Sequence, residues 1–355
     1  MSTFPASFLF LRNLWIIDDM PRVILRADGD LETGYGHLSR VLAIGEALQD
    51  EDFQIELIGE GFEAVLSQFS VSVQSISRSA SPKGTVEDAT QIVAASPDFV
   101  IVDGYDFTRK FFRVLEASKV PFLVIDDSGR TESMGATIVL CQSPSANPSL
   151  YAHVRSSTLL LLGPQYCLVR KEFELARELA SPKQRDGTFV NFGASDPKSM
   201  TERVVDIVTR CGLPAKVALG PGSEKRQERI RKIQDKGVQV SKPMDFAADL
   251  ATSDLAVIAG GTTIWEAAFL GVPLVAIIVA ENQRAPVLAA EKAGLVDWVI
   301  DTEIPETRWQ LELEHALTTF RDDKAHYVAM AQSRANIVGN LGPRFIASQI
   351  AEAIR

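Results

Sequence analysis

The tetrapeptide Gly34-Tyr35-Gly36-His37 offers a histidine on a turn that two glycines keep open. Gly34 and Gly36 tolerate positive φ and let a ligand come close to backbone N–H groups. His37 stands where the first long helix should begin, and a helix start favours the uncharged imidazole that a general base must present. The same residues also read as a plain tight turn. A second stretch, Ala259-Gly260-Gly261-Thr262-Thr263-Ile264-Trp265-Glu266, follows an apolar run and opens a helix. Free N–H groups at such a start suit a pyrophosphate. Thr263-x-x-Glu266 equally fits a capping box that needs no ligand, but the glycines before it add room for a large anion.

Other polar residues gather on the same strand ends. Asp103, Tyr105, Asp126 and Asp127 close expected strands on the edge that carries His37, and together they predict a polar cleft. Asn282 and Gln283 could read a base or a sugar hydroxyl, or cap a helix beginning near Ala285. Gly193–Asp196, which includes Ser195, is a further anion-holding turn in which Asp196 also fits an N-cap. His153, His315 and His326 lack comparable neighbours and read as surface or core residues.

These side chains need a frame, and the chain supplies alternating strands and helices. Arg22–Arg26 is a short strand, and Leu38, Leu42, Ala43, Ala47 and Leu48 recur at helical spacing behind His37. Phe53–Ile58, Asp98–Val102, Pro121–Ile125 and Thr137–Leu140 read as strands, while Val71–Gly84 is polar, serine-rich and loop-like. Gly163–Asp186 is a candidate hinge. Beyond it Thr188–Phe192, Ala215–Leu219, Val238–Val240, Leu255–Ile258 and Leu274–Val279 form a second strand series, with a helix over Ser199–Arg210 and a mostly helical tail from Gln310. Repeated βα units predict an α/β protein of two Rossmann-like parallel-sheet domains facing across a cleft. The first spans 20–170 and the second 171–355, with 1–19 as an extension outside the fold, a start site assigned early.

A length of 355 residues fits two domains. The net charge of −10 and isoelectric point near 5.1 argue against nucleic acid or an anionic membrane as the main partner. Cys141, Cys167 and Cys211 are far apart and form no CxxC pair, which fits a cytoplasmic protein without a zinc site. No run reaches the length of a membrane span, and Met1–Asp19 lacks the order of a secretory signal. Gly34-x-Gly36-x-x-Ser39 misses the third glycine of a dinucleotide fingerprint, and no P-loop, HExxH or GxSxG occurs.

Arg26-x-Asp28 followed by Gly34-Tyr35-Gly36-His37-x-x-Arg40 resembles the opening of the nucleotide-sugar hydrolases of pseudaminic acid biosynthesis. Those enzymes act on UDP-2,4-diacetamido-2,4,6-trideoxy-β-L-altropyranose and have relatives in spore-coat and surface polysaccharide pathways. Asp103-Gly104-Tyr105, Asp126-Asp127, Leu162–Tyr166, Phe192–Pro197, Gly260–Glu266 and Glu281-Asn282-Gln283 resemble further family segments in the same order, from about Met20 to about Ala293. The resemblance implies the GT-B fold, shared with the lipid-intermediate N-acetylglucosaminyltransferase of peptidoglycan synthesis. It implies His37 as catalytic base and UDP held by the second domain, with Glu266 at the ribose. The other substrate-contacting positions it suggests are Arg26, Asp28, Gly34, Gly36, Arg40, Asp103, Tyr105, Asp127, Ser195, Gly261, Thr262, Thr263, Asn282 and Gln283. Two positions depart from the family: Gly104 stands where histidine is frequent, and Ala194 where a second glycine is. The first lies beside the sugar cleft and bears on which sugar is bound.

The expected reaction is cleavage of the anomeric C–O bond of a UDP-sugar by water. His37 would take the proton, and the helix start at Thr262–Thr263 would stabilise the departing phosphate. Neither cofactor nor metal is called for, and no stable membrane association is expected. Three alternatives share the site: an inverting glycosyltransferase using a UDP-sugar donor, a UDP-sugar 2-epimerase, and a non-catalytic sugar-nucleotide sensor.

Overall fold

The computed structural model describes residues 20–30, 34–181, 185–194, 196, 198–220, 222–339 and 342–355. The expected extension 1–19 and the candidate Ser195 lie outside them. Short runs of β-branched and leucine residues without polar alternation make strands that must be covered on both faces, as in β1 (Arg22–Ala27), β4 (Phe99–Asp103), β5 (Phe122–Ile125) and β6 (Ile138–Cys141). The first sheet has seven strands, the others being β2 (Gln54–Ile58), β3 (Val73–Ser77) and β7 (Leu159–Leu162). Their order is β3-β2-β1-β4-β5-β6-β7. All pairs are parallel.

The second sheet holds β8 (Thr188–Asn191), β9 (Ala215–Val217), β10 (Gln239–Val240), β11 (Leu255–Ala259), β12 (Leu274–Ile278) and β13 (Trp298–Asp301), in the order β10-β9-β8-β11-β12-β13. It too is parallel throughout. In each sheet the strand order reverses once, between β1 and β4 and between β8 and β11. Ligands of open parallel sheets lie at the carboxyl ends of the strands beside such a reversal.

Helices cover both sheets. Around the first lie α1 (Gly36–Gln49), α2 (Phe62–Val65), α3 (Val86–Ala94) and α4 (Arg109–Ser118). α5 (Lys171–Leu179) follows the crossing to the second sheet. Beyond it come α6 (Met200–Arg210), α7 (Arg226–Gln234), α8 (Phe246–Ala251), α9 (Thr263–Leu270), α10 (Glu281–Lys292), α11 (Glu306–Asp322), α12 (Lys324–Arg334) and α13 (Gly342–Ile354). Alternation along β1 sends Val23 and Leu25 into the core beneath α1 and Ile24 into the core of the opposite face. The second sheet likewise has an apolar core on each face.

Four features differ from the sequence reading. Val71–Gly84 contains β3, an edge strand whose residues are mostly exposed and so carry no apolar signal. β7 and β13, the other unforeseen strands, are four residues each and lie on sheet edges as well. α10 begins at Glu281, ahead of Ala285, which puts Asn282 and Gln283 in its first turn. Finally, α13 packs on α1 of the first domain, although the sequence places it within 171–355, the second. The cause is α1 itself: it is buried almost all round from Leu38 to Leu48, so it needs an outer cover. Ile346, Ala347 and Ile350 provide that cover.

Candidate functional site

His37 is the second residue of α1, and no side chain caps that helix. Its Nδ1 lies 2.8 Å from Oδ1 of Asp103, the last residue of β4. One turn further along α1, Arg40 grips the same carboxylate from the other side. Its Nε donates to Asp103 Oδ2 at 2.8 Å and its Nη2 to Oδ1 at 2.7 Å. Its Nη1 donates to both oxygens of Asp127, at 3.0 and 2.8 Å, just past the end of β5. One arginine thus ties the ends of β4 and β5 to the start of α1.

Groups of opposite charge flank His37 Nδ1. Burial alone would raise the Asp103 carboxyl, but Arg40 and His37 outweigh it and hold the group below its ordinary range. Burial would likewise lower Arg40, yet Asp103 and Asp127 raise it. Asp103 is therefore an anion, which favours a proton on His37 Nδ1, whereas Arg40 Nη2, a donor 3.0 Å from the same nitrogen, favours a bare one. In the tautomer whose Nδ1–H donates to Asp103, Nε2 is the acceptor. The Tyr105 ring meets His37 edge-on, with centroids 4.8 Å apart and planes at 80°. Its Oη lies 3.5 Å from Asp127 Oδ2, and burial together with Asp127 raises its hydroxyl.

The two sheets' carboxyl edges enclose a cavity of about 530 Å³. Gly34, Gly36, His37, Arg40, Tyr105 and Asp127 line one side, and Gly261, Thr262, Thr263, Glu266, Asn282 and Gln283 the other. The walls come close: a Cβ on Gly36 would stand 3.5 Å from Thr262 Cγ2. Asp103 sits behind His37 and is almost wholly buried.

On the second-domain side, Thr262 precedes α9 and no side chain caps it. The capping box is not made; Glu266 Oε1 instead accepts from Arg170 Nε at 2.9 Å. The start of α9 is thus without a side-chain cap. The two glycines before it differ in purpose. A Cβ on Gly260 would lie 2.6 Å from Val287 Cγ2 and 2.9 Å from Gln283 Cβ, so this glycine lets α10 pack. A Cβ on Gly261 would meet nothing within 4 Å, and here the backbone is open to the cavity. Gln283 Oε1 accepts from Val279 N–H at 3.0 Å, which turns its NH₂ the other way.

Four other acidic or basic candidates are engaged within the protein, and three of them lie away from the cavity. Arg26 and Asp28 do not line the cavity. Arg26 shares the β1 face of Ile24, away from α1, where Nε donates to Asp88 Oδ1 at 3.1 Å and Nη1 to Asp28 Oδ2 at 2.6 Å. Asp126, at a strand end that points to the cleft, instead turns its carboxylate to the backbone N–H groups of Ser128, Gly129 and Arg130 and serves its own loop. Asp196 lines the cavity, but its carboxylate accepts from the Met200 and Thr201 N–H groups at the start of α6, whose N-cap position is Ser199, and pairs with Arg229.

Sequence reasoning missed Arg170, Lys198 and Lys242, which also line the cavity. A lone arginine ending the apolar run Cys167-Leu168-Val169 was the available signal for the first. The exposed lysines gave none. Among the described residues no three His, Cys, Asp or Glu side chains gather as a metal site, and no helix is long and apolar enough to cross a membrane.

No family model matches the chain. It is 24% identical over 277 residues to the uncharacterized protein MJ1062 of Methanocaldococcus jannaschii, covering 74% of this chain but only 57% of that protein. It is 20% identical over 312 residues to the spore coat polysaccharide biosynthesis protein SpsG of Bacillus subtilis, covering 83% of this chain and 88% of SpsG. Among solved structures, MurG of Acinetobacter baumannii superposes with a TM-score of 0.63 at 15% identity, covering 94% of this chain and 99% of MurG. The UDP-GlcNAc 2-epimerase of Neisseria meningitidis, bound to UDP-GlcNAc, gives 0.58 at 15% identity, covering 93% and 100%. The fold is GT-B. In a GT-B frame two parallel sheets turn their carboxyl edges toward one another, which is why the starts of α1 and α9 meet across one cavity.

Proposed function

We propose that this GT-B protein acts on a nucleotide sugar and hydrolyses the anomeric C–O bond of a UDP-linked sugar, of diacetamido-trideoxy type, to free sugar and UDP. The observation that carries the reading is the His37–Asp103 pair, held at one wall of the cavity opposite the uncapped start of α9. Water attacks the anomeric carbon on the face away from the diphosphate, and His37 Nε2 takes its proton. The C–O bond breaks, and UDP departs with the bonding pair. Asp103 stabilises the imidazolium, and Arg40 keeps that carboxylate ionised and in place. Backbone N–H groups of Thr262 and Thr263 stabilise the charge on the departing phosphate, while Gly261, whose own N–H donates to Ala259 O, leaves room for it. Glu266 takes ribose hydroxyls, Asn282 and Gln283 take further polar groups of the nucleotide, and Tyr105 and Asp127 face the sugar.

The resemblance to SpsG supports a role in surface-glycan synthesis, and three free, buried cysteines fit a cytoplasmic site of action. Transfer to a hydroxyl acceptor would use the same base, and the likeness to MurG favours it as the second reading. Turnover in ¹⁸O-labelled water separates them. Hydrolysis places the label on the free sugar and releases UDP without an acceptor; His37→Asn cuts the rate by about 10²–10⁴-fold while UDP still binds. Label in the phosphate, or UDP release only when an acceptor is added, refutes the hydrolase reading.

A further inference from the structure

Arg170 stands at the start of α5, where the chain crosses between the sheets, and is 6% exposed. Its side chain touches both halves of the molecule. Nε donates to Glu266 Oε1 of α9 at 2.9 Å, and Nη1 reaches Gln68 Oε1 of the first domain at 3.4 Å. Nη1 also pairs with Glu172 Oε1 at 2.6 Å. The guanidinium carbon lies 5.7 Å from the ring centroid of Phe69, 4.8 Å from Phe173 and 5.3 Å from Phe246, rings from the first domain, α5 and α8. A planar group packed among three rings and bonded at its edges has little freedom left. Glu266 is equally buried and its expected cap bond is absent, so Arg170 is the side chain that holds it. One of its oxygens is committed to Arg170, which fixes where the other points.

We propose that Arg170 is a positioning residue that sets the Glu266 carboxylate for the ribose hydroxyls and makes ribose recognition depend on the first domain being in place. The inference rests on the nucleotide-binding reading above. It is tested by calorimetric titration of the full-length chain with UDP, 2′-deoxy-UDP and 3′-deoxy-UDP. The ratio of affinities, unlike affinity itself, is not moved by a general loss of stability. The unaltered protein should favour UDP over at least one deoxy analogue by about ten-fold or more, the worth of one hydrogen bond to a charged acceptor. Glu266→Gln should bring the ratio toward unity; a native ratio there overturns the nucleotide-site reading itself, whatever Arg170 does. Arg170→Lys keeps the charge but loses the fork, and should collapse the ratio as far as Glu266→Gln does, with no further fall in the double variant. If Arg170 contacts the diphosphate instead, Arg170→Lys weakens all three ligands alike and leaves the ratio native, which overturns the inference. Should that variant not fold, Arg170→Gln with Glu172→Gln removes one charge of each sign and poses the same question.

Discussion

Glu172→Gln should stabilise the protein at pH 8 and not at pH 4. Glu172 pairs with Arg170 Nη1, but Glu266 Oε1 shares that guanidinium, and Glu46 adds a third carboxylate. Burial pushes the Glu172 carboxyl up to about 7; Arg170 opposes the rise, and Glu266 and Glu46 add to it. The folded protein therefore holds this proton more tightly than the unfolded chain. Ionising the group costs nothing below about pH 4.5, where both states are protonated, and the full penalty is present above about pH 7. A rise of that size corresponds to at most about 3 kcal/mol. The side chain keeps 30% exposure, so solvent screening reduces the figure to about 1–2 kcal/mol. Glutamine removes the charge and leaves Arg170 paired with Glu266. Melting the two proteins across pH 4–8 should show coincident Tm values at the acid end and a gap opening to roughly 2–6 °C at pH 8. A gap independent of pH, or one largest in acid, would refute the reasoning.

Gly260→Ala should cost about 1–3 kcal/mol in a denaturant melt, because the new methyl enters the contact with Val287 and Gln283. Gly261→Ala should leave the melt nearly unchanged and weaken UDP in a titration, since its methyl points into open space at the cavity. Asp103→Ala should remove the orienting partner of His37 and lower kcat by up to about 10⁴-fold, while an unaltered kcat with a lower Tm would make Asp103 purely structural. Because the Asp103 carboxyl is held below its ordinary range, its contribution to stability is present above about pH 4 and is lost as pH falls through its native value, so the same variant should flatten the acid limb of the stability curve.

The parts of the molecule legible in the sequence are those whose signal is local. β1, β4 and β5 are apolar runs closed by turns, and the glycines around His37 announce a strand-to-helix turn without reference to anything distant. Asp103 and Asp127 could be foreseen because the end of a parallel strand fixes which edge a residue reaches. What the sequence conceals is the partner. Arg26 lies in the stretch that leads to His37, yet strand alternation turns it to the face away from α1, where Asp88 of α3 awaits it. Glu266 sits at the right spacing for a capping box, and an arginine from the crossing segment takes its carboxylate away from the helix start. α13 has an ordinary amphipathic pattern, and only the all-round burial of α1 explains why it returns to the first sheet. β3 shows the same dependence in a strand: its polar residues hold an edge because β2 offers a free ladder. Polar side chains thus take their meaning from the element they face. Arg170 is the plainest case: it faces both domains, and the apolar run that it ends carries no sign of its partners.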